Sequence, residues 1–301
     1  MTRAWIIEAL GEQGFEQLAA QISGSELQSL LLEVMHRRAA ARTPRDLLAQ
    51  YRRDRFVRPA AIDQRTFVEL DTHLLAAAYG FEAIELSPVT PLGTSSAVGP
   101  SDQHRVLSAL RGTEVVSDPT NVLALECAER LRAAPDRTVH LATSQRVIRA
   151  QAVPDKPGFA AHFRIFCLAS AARETKDHGF TVAAFTRHIK TMQHALDLLE
   201  QHGYQFGARR VDILATSATA LVADRIADAV NGVRKPLDHR YYNGGLRYML
   251  WVTLPSGEQL PLIDGGAFDW VAQLSSNRRL VYIATGMGAQ LVAYAFRNAA
   301  R

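Results

Sequence analysis

The chain has 301 residues, 48% of them hydrophobic and 21% charged, with a net charge of +4 and a pI of about 9.2. That is an ordinary soluble mixture, long enough to bury one large core with a smaller appendage, and no apolar run approaches the roughly 18 residues that cross a bilayer. Acids follow Met1 too soon for a secretory signal, and Cys127 and Cys167 sit in apolar stretches with no metal-ligand spacing, so a reduced, cytoplasmic protein with no membrane partner is expected.

Residues 1–58 predict a helical N-terminal region and 59–301 a main domain. A first helix carries Ile6, Ile7, Leu10, Phe15, Leu18 and Ile22 and stops at Ser23-Gly24. Ser25-Glu-Leu-Gln28 has capping-box form and opens a second helix. Thr43-Pro44 pairs an N-cap with proline at the first helical position and opens a third. Within 36–58, eight arginines (37, 38, 42, 45, 52, 53, 55 and 58) face only Asp46 and Asp54. Such a cluster either meets phosphates, RNA included, or lays arginine stems over apolar surface on a solvated face.

In the main domain Phe67, Leu70, Leu74, Leu75 and Tyr79 predict a helix running to Gly80, followed by an extended 81–86 that closes on Ser87-Pro88. Segments 138–151 and 161–170 read as strands around the turn-rich Pro154-Asp-Lys-Pro-Gly158. Phe185, Ile189, Met192, Leu196 and Leu199 mark an amphipathic helix. Further strands are expected at 211–214, 246–254, 259–263 and 280–284, with a turn at Pro255-Ser-Gly257 and helices at 218–230 and 289–297. Strands with interspersed helices imply an α+β fold, an antiparallel sheet flanked by helices, with the small helical region in front. His188, His194 and His202 lack the i, i+4 spacing of a helical metal pair. They read as surface and interface histidines, and no metal is expected.

Five segments carry the chemistry: Asp118-Pro-Thr120, Ile148-Arg-Ala-Gln151, His162-Phe-Arg-Ile-Phe166, Tyr241-Tyr-Asn-Gly-Gly245 and Gly265-Gly-Ala-Phe-Asp269. Asp118 and Thr120 before a helix suit an ammonium group, and equally an N-cap. Arg149 on a strand before a Pro/Gly loop suits a phosphate, because its planar fork donates several hydrogen bonds at once. Paired glycines let backbone approach a ligand closely. In this order the segments resemble the catalytic domain of class II aminoacyl-tRNA synthetases, and within it the histidyl-tRNA synthetase branch. The resemblance spans about 62–298. It implies that Arg149, His162 and Phe166 handle ATP, with Gln151 where the family usually has Glu. It also implies that Asp118, Thr120, Tyr241, Tyr242, Gly244, Gly245, Gly265 and Gly266 line an amino-acid pocket, and that 62–88 forms a homodimer interface.

The departures from that pattern are equally specific. The arginine that grips the γ-phosphate falls at Gln290, the histidine-selecting Gln and Glu at Leu168 and Ala172, and the arginine of the Gly-Gly segment at Ala267. No C-terminal anticodon-binding domain is expected. No catalytic residue is assigned. The expectation is a synthetase-like paralogue that does not charge tRNA and binds a small amino-acid-like ligand or a partner protein, similar to the regulatory subunit of ATP phosphoribosyltransferase. The alternative is a tRNA-independent, AMP-forming ligase that uses ATP with Mg2+, with Arg278 or Arg279 covering the phosphate tail and an apolar pocket at Leu168 and Ala172. A third reading makes 36–58 an RNA-binding arm.

Overall fold

The computed structural model describes residues 2–152, 159–254 and 256–297. The turns expected at Pro154-Asp-Lys-Pro-Gly158 and at Pro255 thus fall outside the described residues. The N-terminal helices are α1 (Thr2–Leu10), α2 (Glu12–Glu16), α3 (Gly24–Ala40) and α4 (Pro44–Arg53). Gly11, at φ 73°, breaks the first predicted helix between α1 and α2. The capping box of α3 belongs to Ser23 and Glu26, two residues before the expected start, because Ser23 is extended while residue 25 is already helical. Thr43 and Asp46 form the same device on α4, with Pro44 at its first position. Neither α2, α3 nor α4 buries a residue. The stretch after α4 reaches the main domain through Arg55, which donates to the Gln151 carbonyl at 2.6 Å, and through the Arg58 carbonyl, which lies 2.6 Å from His162 Nε2.

The main domain opens with α5 (Gln64–Ala77), capped by Asp63, then the short strand β1 (Glu82–Ala83). A small sheet of β2 (Val89–Pro91), β3 (Ser108–Ala109) and β4 (Thr113–Val115) precedes α6 (Pro119–Ala133). Next come β5 (Val139–Ile148), β6 (His162–Arg173), α7 (Gly179–Gln201), β7 (Arg209–Ala215), α8 (Ala220–Val230) and β8 (Val233–Pro236). The chain ends in β9 (Leu246–Thr253), β10 (Gln259–Phe268), α9 (Trp270–Leu274), β11 (Leu280–Gly288) and α10 (Ala289–Ala295).

The large sheet has eight strands in the order β1-β5-β6-β11-β10-β9-β7-β8. Its six central strands pair antiparallel, as expected, but both edges are parallel, β1 on β5 and β8 on β7. The reason is connectivity: α6 and α8 each intervene between the paired strands, and a helical crossover returns the chain in the same direction.

Both faces of the sheet are covered. Helices α5, α7, α8 and α10 bury the rear face, which presents Phe166, Leu168, Tyr248 and Ile283. Helices α6 and α9 cover part of the front face over Leu141, Cys167, Ala169 and Tyr282. His188 is not a surface histidine but lies fully buried behind the sheet. It bonds Ser170 Oγ at 2.8 Å and Thr285 Oγ1 at 2.9 Å, and the chain of groups runs on to the Tyr248 hydroxyl (2.8 Å) and to His140 (2.6 Å from Ser170). His194 and His202 on the same helix and its end are exposed.

Candidate functional site

Where α6 and α9 leave the front face open, a cleft of about 710 Å³ lies over β6, β10 and β11. Its walls are the 100–106 loop, the start of α6 and the Tyr241-Tyr242 turn. Asp118 is the N-cap of α6: one carboxylate oxygen accepts from the Thr120 amide at 3.0 Å and from the Thr120 hydroxyl at 2.7 Å. The other oxygen faces the cleft, 3.4 Å from the Tyr241 hydroxyl, which donates to it, and 3.7 Å from the Arg149 guanidinium. Asp118 therefore caps a helix and presents a charge at once. Burial, reinforced by the Asp118 charge, pushes the Tyr241 hydroxyl well above its ordinary pKa, so it serves as a donor.

Arg149 follows directly after β5. Its Nε donates to the Ser117 carbonyl at 2.9 Å and its guanidinium stacks on Phe163, 5.2 Å from the ring centre. The neighbouring amide, Ala150 N, donates to the Arg105 carbonyl at 2.8 Å, which fixes a second arginine beside the first. Arg105 is exposed and lines the cleft, where hydrogen bonds from His104, helped by the Arg105 charge, hold the Asp102 carboxyl below its ordinary pKa. At the far wall Arg247 grips Asp264 through two bonds of 2.6 and 2.9 Å and stacks over Tyr242 at 4.7 Å. Half-burial works against the Arg247 charge, but the Asp264 carboxylate outweighs it and raises the arginine's pKa. That pair is closed on itself by two short bonds, whereas Asp118, Tyr241 and Arg149 form a looser cluster at 3.4–3.7 Å that still faces the cleft, with Arg105 and Asp102 on the loop beside it.

The structure brings Asp118, Thr120, Arg149, Tyr241, Tyr242 and Gly265 together in the cleft. Gly266 lies beneath the cleft wall, since a Cβ there would collide with the Tyr242 ring, whereas one on Gly265 would run into Tyr248 and Thr285 at the rear. Gly244 packs on Ala267, where a Cβ would lie 2.7 Å from the backbone, and borders a different cavity. Gly245, at φ 75°, closes the turn against Thr216 and Thr219.

Two of the expected nucleotide residues do not reach the cleft. Phe166 is wholly buried in the rear core, and His162 lines a separate rear cavity with Arg146, Arg164 and Asp71. Strand alternation explains both: even positions of β6 point backwards, and the aromatic that meets Arg149 is Phe163. Leu168 and Ala172 are likewise rear-core residues, so the apolar floor is made by Ile165 and Cys167 instead. Arg278 lines another cavity and offers the cleft no charge. Gln290 is 3% exposed, outside the cleft lining, and its side-chain carbonyl has no partner among the described residues. Phe163, Arg105, Asp102 and Asp264 (which Arg247 grips) are among the cleft residues that the motifs did not single out. Counting in steps of two along β6 from a known cleft residue would have found Phe163. Arg105 carries no sequence signal.

An antiparallel-centred sheet with a motif-bearing strand pair, a capped helix above it and an open cleft between them defines the class II aminoacyl-tRNA synthetase-like fold. The histidyl-tRNA synthetase of S. aureus superposes with a TM-score of 0.58 at 11% identity, over 78% of this chain and 67% of that one. A protein of Bacillus halodurans described as an ATP phosphoribosyltransferase regulatory subunit/histidyl-tRNA synthetase gives 0.58 at 13% identity, over 78% and 80%. A histidine–tRNA ligase subunit of Alicyclobacillus acidocaldarius gives 0.56 at 12%, over 78% and 96%. No family model and no curated protein matches the sequence.

Proposed function

We propose that this chain is a synthetase-like paralogue that does not charge tRNA and that binds a small amino-acid-like ligand in the cleft. The observation that carries the reading is a set of opposite charges lining one cavity: Asp118 with Tyr241, and next to them Arg149 and Arg105. An ammonium group fits the first pair and a carboxylate the second. Ile165, Cys167 and the ring of Phe163 leave the ligand an apolar side chain to bury, and none of them can hydrogen-bond an imidazole as a full partner. The neutral, buried Gln290 supplies no cation where the resemblance puts the γ-phosphate arginine. Calorimetric titration with amino acids and their decarboxylated and deaminated analogues tests this. Binding that requires both charged ends supports it, and binding indifferent to either end removes it.

The ligase reading keeps one favourable observation, the Arg149–Phe163 stack, which could hold an adenine ring beside a phosphate. Arg105 is then the cation available for the phosphate tail, while Asp264 is tied to Arg247 and not free to hold Mg2+. ATP–pyrophosphate exchange over the same panel separates the readings: exchange dependent on one acid establishes adenylation and names the substrate. In either case 62–88 is proposed as a homodimer surface, supported by Val68 (61% exposed) and Tyr79 (89%) on and just beyond α5.

A further inference from the structure

The N-terminal helices pose a problem that the cleft does not explain. Helix α3 has 17 residues and α4 has 10, and neither buries one of them. Isolated helices of such length are marginal in water, and proteins seldom leave large apolar stripes uncovered. Yet Leu30, Val34 and Met35 on α3 are 44%, 41% and 50% exposed, and Leu47, Leu48 and Tyr51 on α4 are 52%, 49% and 43% exposed. Each set sits at helical spacing on one side of its helix.

Charge tells what covers them. Residues 1–35 carry Glu8, Glu12, Glu16, Glu26 and Glu33 against Arg3, a net −4, whereas 36–58 carry eight arginines against Asp46 and Asp54, a net +6. The arm is thus acidic in its first half and basic in its second, with an apolar stripe in each. RNA would meet only the basic half and leave the leucines in water. An acidic or a basic partner protein would likewise satisfy one half alone.

We infer that the occupant is a second copy of this chain, its arm laid antiparallel on the first. A two-fold axis then sets the acidic half of each arm on the basic half of the other, twice, while the apolar stripes face each other. Parallel pairing would set like charge on like. This contact is separate from the surface proposed at 62–88 and uses none of the residues that line the cleft.

Disulfide trapping in the full chain tests it, because the native Cys127 and Cys167 are buried and do not compete. Leu30→Cys and Leu48→Cys are made in separate copies, mixed and mildly oxidised. The expected product is the mixed 30–48 dimer, in excess of 30–30 and 48–48. Dominance of 30–30, or a monomeric arm that binds RNA in a salt-sensitive way, overturns the proposal. A charge exchange provides the second arm of the test. Glu8→Arg with Glu12→Arg, or Arg45→Glu with Arg52→Glu, should each weaken trapping about tenfold. Mixing the two variants should restore it, and failure to restore it overturns the charge pairing. Tyr79→Glu, on the other surface, should leave 30–48 trapping intact. Its loss would mean that the arms meet only because the main domains do.

Discussion

Asp118 does two jobs, and substitution can separate them. Asp118→Asn keeps the side-chain oxygen that caps α6 and removes the charge that faces the cleft. We expect ligand affinity to fall about tenfold with little change in unfolding midpoint, whereas Asp118→Ala also loses about 1 kcal/mol of stability. Titration beside denaturant unfolding of both variants checks it. The buried histidines make a second residue-level prediction. Burial holds His188 down to about 3 and His140 to about 4, the neighbouring charges of Arg187 adding to both and His140 adding to His188. In the unfolded chain both titrate near 6.5, so below that pH the unfolded state takes up protons that the native state refuses. Stability therefore falls as pH drops from about 6.5 towards 4, by up to about 1.4 kcal/mol per pH unit for each histidine that stays neutral. Urea unfolding at pH 7 and pH 5 measures this, and His188→Gln should flatten the slope. Asp118, Arg149 and the tyrosines were legible because they stand in segments with a recognisable order. Arg105 was not, since nothing local distinguishes a loop arginine that a backbone hydrogen bond happens to hold beside another.

At the scale of elements, β5 and β6 form a board with two working sides. In front, Phe163 and Arg149 meet the cleft. Behind, Arg146 and Arg164 stand directly opposite each other on the two strands, over the Phe67 ring and beside a single carboxylate, Asp71. Arg146 donates to His162 Nδ1 at 3.0 Å, which sets that ring as the neutral tautomer with Nε2–H donating to the Arg58 carbonyl. Asp71 accepts from Ser144 at 2.5 Å and pairs with Arg164, while burial, the larger influence, raises its pKa. Asp71→Ala would leave two facing guanidiniums without a counter-charge and should cost about 2–3 kcal/mol, less than the loss of a wholly buried pair. Calorimetric unfolding checks it. Which side of β6 faces the cleft was not legible in the sequence. Ile165, Cys167 and Ala169 are as apolar as Phe166 and Leu168, and a strand buried on both faces shows no alternation to read. The helices were legible for the opposite reason: the cap at Thr43 and the apolar spacing along α7 are local signals. The small β2–β4–β3 sheet, with strands of two or three residues, leaves too short a pattern to find.

For the whole molecule, the α+β architecture followed from the alternation of strand and helix signals, but the parallel edges depend on where distant segments return, which no window of sequence records. The N-terminal region is attached to the main domain at one place above all, the β5–β6 pair, through Arg55 on the Gln151 carbonyl and the Arg58 carbonyl on His162. Gln151 also lines the mouth of the cleft, two residues from Arg149. Occupancy in front and tension on the arm behind therefore draw on the same two strands. Thermodynamics makes such a shared element symmetric in its effects: if pairing of the arms changes ligand affinity by some factor, saturating ligand changes the arm-to-arm dissociation constant by the same factor. The ligand's binding curve then depends on protein concentration, and a dilution series would measure the coupling free energy between arm and cleft without touching either site.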